Sequence, residues 1–104
     1  MSKISLVELK ELFDSKAKFD LFDVRARVRF VEKHIKGALS LPTDKIDLVV
    51  KGLDKSRLIV VYCGGFSCPL SGFAAEKLAS LGFKVKAFEG GLSEWVMAGL
   101  PVEG

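Results

Sequence analysis

Residues 60–78 read VVYCGGFSCPLSGFAAEKL. The apolar run that starts at Leu58 and ends at Tyr62 has no alternation of polar residues, which predicts a strand buried on both faces. A glycine-containing connection follows and carries both cysteines of the chain, Cys63 and Cys68. From Leu70 the spacing Leu70, Ala74, Leu78, Leu81 predicts one face of a helix, with Gly82 as its stop. The stretch is therefore a strand, a loop and a helix, with the thiols in the loop.

The same alternation extends in both directions. Upstream, Ser5-Leu6-Val7-Glu8 has the form of a capping box, with Ile4 and Leu9 placed for a hydrophobic staple, and predicts a helix to about Phe13. Residues 19–24 (FDLFDV) predict a strand, 27–33 a short helix, and 38–41 a short strand ended by Pro42. Thr43 is placed to cap a helix to about Val50, stopped at Gly52. Downstream, 85–88 predict another strand and 92–97 a last helix before Gly99. Strands alternating with helices imply an α/β fold with a mainly parallel central sheet and helices on both faces. In such sheets, sites form in the loops at the carboxyl ends of the strands. Cys63 stands at one such end and Asp23 to Arg25 at another.

With 104 residues, no internal repeat and no linker-like tract, the chain is expected to form a single domain over 1–104. Its composition, 49% hydrophobic and 28% charged, is that of a globular protein able to bury a core without disulfides. Two cysteines are too few for a disulfide scaffold and point to a reducing setting, and the first residues, MSKISLVELKELF, lack the apolar core of a signal peptide. The expectation is a cytoplasmic protein. Residues 58–75 carry no charge, but glycines, serines and Pro69 interrupt them, so no membrane span is expected. A net charge of +3 spread over scattered lysines gives no support for nucleic-acid binding.

The loop after Tyr62 explains why thiols would sit there. The first amides of the following helix lack intrahelical partners, and its dipole adds positive potential. Gly64 and Gly65 permit conformations that turn successive amides inward, as in an anion nest. A cysteine so placed would be held as thiolate, below its free pKa of about 8.5. Cys63 is the candidate nucleophile. Inert packing in the core, or a disulfide with Cys68, are its alternatives. A Cys-x5-Arg phosphatase would need arginine at position 69, which is Pro69. Two cysteines and one distant histidine make a weak metal pattern, so no metal is assigned.

Taken together, the motifs resemble the rhodanese-like sulfurtransferases, from about Ser5 to Val102. Asp23-Val24-Arg25 follows a strand. His34-Ile35-Lys36-Gly37-Ala38 leads to Leu41-Pro42, and Val60-Val61-Tyr62-Cys63 comes next. Ser71, Ala74-Ala75, Leu78 and Gly82-Phe83 follow, then Glu89-Gly90-Gly91, Trp95 and Gly99-Leu100-Pro101-Val102. The resemblance implies ping-pong transfer of sulfane sulfur from thiosulfate or polysulfide, through a Cys63 persulfide, to a thiophilic acceptor that includes a thiol-carrying partner protein. It implies no metal and no organic cofactor. Gly64, Gly65, Phe66, Ser67, Cys68 and Arg25 become the candidates for holding the small anionic donor. Oligomeric state is left at monomer or homodimer.

The chain departs from the family pattern in two ways. Gly64 to Gly72 carries no charge, where the family often has a cation, and the loop is about two residues longer. A non-catalytic binding or redox-sensing module of the same fold is therefore the alternative. Cys68 is also placed to capture the persulfide as a disulfide and release sulfide. His34 is expected to be structural. Asp23 and Arg25 are expected to pair, with Arg29 and Lys33 on the surface. Gly90 and Gly91 are expected to turn the chain into the last helix, and Trp95 to pack it on the sheet.

Overall fold

The computed structural model describes residues 2–104. Helix α1 (Leu6–Asp14) starts at the expected capping box: Glu8 N donates to Ser5 Oγ at 3.1 Å, and Ser5 N donates to Glu8 Oε1 at 3.0 Å. Strand β1 (Phe19–Asp23), helix α2 (Arg27–Glu32) and the two-residue strands β2 (His34–Ile35) and β3 (Leu39–Ser40) follow. Next come helix α3 (Ile46–Val49), strand β4 (Leu58–Tyr62), helix α4 (Leu70–Ser80), strand β5 (Val85–Phe88), helix α5 (Gly91–Met97) and strand β6 (Val102–Glu103).

The central sheet has the order β3-β1-β4-β5, and every pairing in it is parallel. Strand β4 lies inside it, and Ile59, Val60, Val61 and Tyr62 have no exposed surface. Because side chains alternate along a strand, its two faces feed two separate cores. On one side Phe22, Val24, Ile59, Val61 and Cys63 pack with Ile46 of α3 and Ala74, Ala75 and Leu78 of α4. On the other, Leu21, Val60, Tyr62 and Phe88 pack with Leu9 of α1 and Trp95 of α5. Helices thus cover both faces, as the alternation predicted.

Three local expectations change. Thr43 does not cap a continuous helix. It is the first residue of a 3-10 turn (Thr43–Lys45), closed by Lys45 N donating to the Pro42 carbonyl at 2.9 Å, and a second such turn (Val50–Gly52) follows α3. Leu81 falls beyond α4 at its C-cap and is exposed, so the buried face is Ser71, Ala74, Ala75 and Leu78. Strands β2 and β6 form an antiparallel pair that the sequence reading did not anticipate, His34 opposite Glu103 and Ile35 opposite Val102.

Among the described residues no helix is long and apolar enough to cross a membrane; the charge-free run divides into β4, a loop and the start of α4.

Candidate active site

The connections after β1, β4 and β5 emerge at one edge of the sheet, because parallel strands share their carboxyl ends. Cys63 is the first residue beyond β4 and has no exposed surface. Its main chain is held by the start of α5. Leu92 N donates to the Cys63 carbonyl at 2.9 Å, and Ser93 N donates to the Gly64 carbonyl at 3.0 Å. The loop then folds back, Cys68 N donating to the Gly65 carbonyl at 3.1 Å, before α4 begins. Phe66 and Ser67 lie at the exposed tip, while Cys68 is half-buried against the same apolar core as Cys63.

The glycine that this geometry demands is Gly91. Its φ is +60°, and a Cβ there would run into the Cys63 carbonyl oxygen and come within 2.8 Å of Gly65 N. Neither Gly64 nor Gly65 takes a positive φ, and an added Cβ meets nothing within 4 Å at Gly64. The Gly64 amide does turn toward the Cys68 thiol, without a left-handed residue to set it. The loop is shaped from outside, by the close approach of α5.

The ionisation of the thiols also differs from expectation. Burial pushes the Cys63 thiol up, and its interaction with Cys68 adds to this; Ser71, through its hydroxyl and its amide, pulls the other way without winning. The Cys63 S–H donates to the Cys68 carbonyl at 3.4 Å. For Cys68 burial also opposes ionisation, but the Cys63 thiol and the amides of Leu70 and Gly64 outweigh it, with a further contribution from the Arg25 charge, and its pKa is lowered. The two thiols are thus shifted in opposite directions, Cys63 up and Cys68 down. The reason is position: Cys63 lies at the desolvated floor, and Cys68 sits where the amides at the start of α4 reach it.

Arg25 is buried at 7% exposure. Its Nε donates to Asp23 Oδ1 at 3.0 Å, and Nη2 donates to Asp23 Oδ2 at 2.7 Å and to the Lys33 carbonyl at 2.6 Å. Burial disfavours this cation, but the Asp23 carboxylate more than offsets it, so the Arg25 pKa is raised. The expected Asp23–Arg25 pair is present, and it brings a permanent positive charge within range of both thiols. With Gly64 and Ser93, Arg25 lines an open cleft of about 300 Å³ that Arg29 and Lys33 also border.

His34 stands apart from this chemistry in its contacts. Its ring stacks on Phe30 at 3.8 Å between centroids, Nδ1 meets the Phe30 carbonyl at 2.7 Å, and Nε2 lies 3.8 Å from Glu103 Oε1. Trp95 packs under α5 and donates from Nε1 to the Pro101 carbonyl at 2.8 Å. Among the described residues, no three His, Cys, Asp or Glu side chains gather as a metal site. Ser71 and Gly91 were visible in the sequence as family-like positions, but neither was assigned to the site.

A model of the rhodanese-like domain matches residues 5–98 of the chain. Among solved structures, the BH2092 protein of Bacillus halodurans superposes with a TM-score of 0.94 at 33% identity, covering 99% of this chain and 77% of that one. The rhodanese-like domain of the Alr3790 protein from Anabaena sp. gives a TM-score of 0.87 at 34% identity, covering 100% and 80%. The HTH-type transcriptional regulator Rv0324 of Mycobacterium tuberculosis is 35% identical over 83 residues, which are 80% of this chain and 37% of that protein. The chain spans less than half the length of the curated relatives it matches.

Proposed function

The chain belongs to the rhodanese-like domain family, and from that premise we propose that it is a sulfurtransferase working through a persulfide on Cys63. One observation supports this most: Cys63 lies at the carboxyl end of the central strand, held between the start of α5 and the start of α4. Deprotonated Cys63 attacks the outer sulfur of thiosulfate or a polysulfide. An S–S bond forms at Sγ, the donor's S–S bond breaks, and sulfite or a shortened polysulfide leaves with the electron pair. Cys68, which adjoins Cys63 across the loop and whose pKa is lowered, accepts the Cys63 proton as the donor engages. Ser71 and the amides that begin α4 stabilise the charge that then rests on the persulfide. A thiophilic acceptor removes the sulfur in the second half of the cycle.

Arg25 is the cation that the loop itself lacks. Asp23 and the Lys33 carbonyl hold its guanidinium, so it acts on an anionic donor through its field rather than as a mobile clamp. A polysulfide needs less from such a cation than thiosulfate does, and it is the preferred donor.

A steady-state assay of thiocyanate formation from each donor and cyanide tests the proposal. Turnover that disappears in Cys63→Ser is the expected result; equal turnover in that variant would refute it. A non-catalytic binding or redox-sensing module is the second reading, favoured by the complete burial and raised pKa of Cys63. It predicts no turnover in the unaltered protein.

A further inference from the structure

We propose that Cys68 resolves the Cys63 persulfide, which gives the chain a second activity: reduction of sulfane sulfur to sulfide, with formation of a Cys63–Cys68 disulfide. This rests on the persulfide mechanism proposed above.

Several observations of the loop converge on this step. Cys63 donates its S–H to the carbonyl of Cys68 at 3.4 Å, so the two residues are in contact across the loop. The Cys68 side chain packs on the same apolar core that contains Cys63. The turn closed by Cys68 N on the Gly65 carbonyl holds the intervening residues folded back. Exposure then separates the competitors. Cys63 has no exposed surface, so an external acceptor must enter the loop to reach sulfur attached there. Cys68 is already inside. An intramolecular nucleophile of this kind outcompetes dissolved thiols by the advantage of proximity.

The chemistry balances without an outside oxidant. Cys68, protonated during loading, gives its proton to the terminal sulfur of the persulfide. Its thiolate attacks Cys63 Sγ, and a bond forms between the two cysteine sulfurs. The bond from Sγ to the outer sulfur breaks, and that sulfur leaves as HS⁻ with the electron pair. The sulfane sulfur is reduced, and the two thiols are oxidised. A dithiol reductant must then restore the loop before another cycle.

Reduced protein, desalted without oxygen, is exposed to a stoichiometric amount of polysulfide, quenched with an alkylating agent and weighed intact, with sulfide measured in parallel. In the unaltered protein the mass is expected to fall by two hydrogens, with no alkylation, and sulfide is expected to rise on the order of tenfold above that from Cys68→Ser. Dithiothreitol should restore two alkylatable thiols. Cys68→Ser should load more slowly, for want of its proton acceptor, and then keep the added sulfur on Cys63, and Cys63→Ser should form no disulfide. Retention of the sulfur on Cys63 in the unaltered protein, or its recovery on Cys68, would overturn the resolving step while leaving the persulfide mechanism standing. Absence of both added sulfur and sulfide in every form would overturn the persulfide mechanism itself. If Cys68→Ser fails to load, the unaltered protein decides alone: disulfide with sulfide supports the step, and a stable persulfide refutes it.

Discussion

Gly91→Ala isolates the contact that shapes the cysteine loop. At φ +60° an alanine costs about 1–2 kcal/mol from backbone sterics alone. Its Cβ would also overlap the Cys63 carbonyl oxygen and approach Gly65 N to 2.8 Å, and neither partner is a flexible side-chain end. Relief requires the loop and the start of α5 to part. That weakens the bonds from Leu92 N and Ser93 N to the loop carbonyls, each worth about 1 kcal/mol. The total is about 3–4 kcal/mol, a large share of the 5–15 kcal/mol typical of a folded domain. Gly99→Ala is the comparison: φ is +73°, but nothing lies within 4 Å of the added carbon, so only about 1–2 kcal/mol is expected. Gly64→Ala, with neither strain nor a neighbour, should change stability by less than about 0.5 kcal/mol. Urea unfolding of the three variants, with m-values checked for constancy, reads these differences. Equal costs for Gly91→Ala and Gly99→Ala would refute the claim that α5 presses on the cysteine loop.

Other consequences follow from the buried polar groups. Tyr62 is the chain's single tyrosine, and burial, followed by the Asp23 charge, raises its pKa well above the ordinary value of about 10. The folded state therefore favours the neutral phenol; this stability is full below about pH 10 and is lost as pH rises further. Tyrosinate absorbance should appear together with loss of the circular dichroism signal, and ionisation of the folded protein near pH 10 would contradict the burial argument. Breaking the Asp23–Arg25 pair by Arg25→Met should cost about 3–5 kcal/mol, because it leaves a buried carboxylate uncompensated. A thermal or urea scan showing less than about 1 kcal/mol would mean that water replaces the guanidinium. Limiting iodoacetamide near neutral pH should label Cys68 before Cys63, as the lowered and raised pKa values and the difference in burial all require. Peptide mapping that finds Cys63 labelled first would contradict the opposed shifts of the two thiols.

The parts of the molecule written in local chemistry were legible from the residues. Ser5 and Glu8 announce the first cap, the apolar run from Leu58 announces a strand buried on both faces, and Gly82 ends α4 at φ +95° as a stop signal should. What local pattern could not show depends on contacts between distant segments. Strands β2 and β6 have two residues each and exist only because the chain end returns to His34 and Ile35. Gly91 reads as a turn glycine until the fold brings it against Cys63, 28 positions earlier in the chain. The opposed shifts of Cys63 and Cys68 were not legible either, because burial at the floor of the loop and the reach of the α4 amides are tertiary facts. The Asp23–Arg25 pair was legible as a spacing, but its anchorage to the Lys33 carbonyl was not.

The central claim is that sulfur resides on Cys63. Site-resolved mass spectrometry of Cys68→Ser protein, treated briefly with polysulfide or thiosulfate in the absence of reductant, tests it most directly. The account predicts one added sulfur on the peptide containing Cys63, removed by cyanide and absent when Cys63 is also replaced by serine. Failure of Cys68→Ser to take up sulfur from either donor, together with neither added sulfur nor released sulfide from the unaltered protein with free thiols, would contradict it.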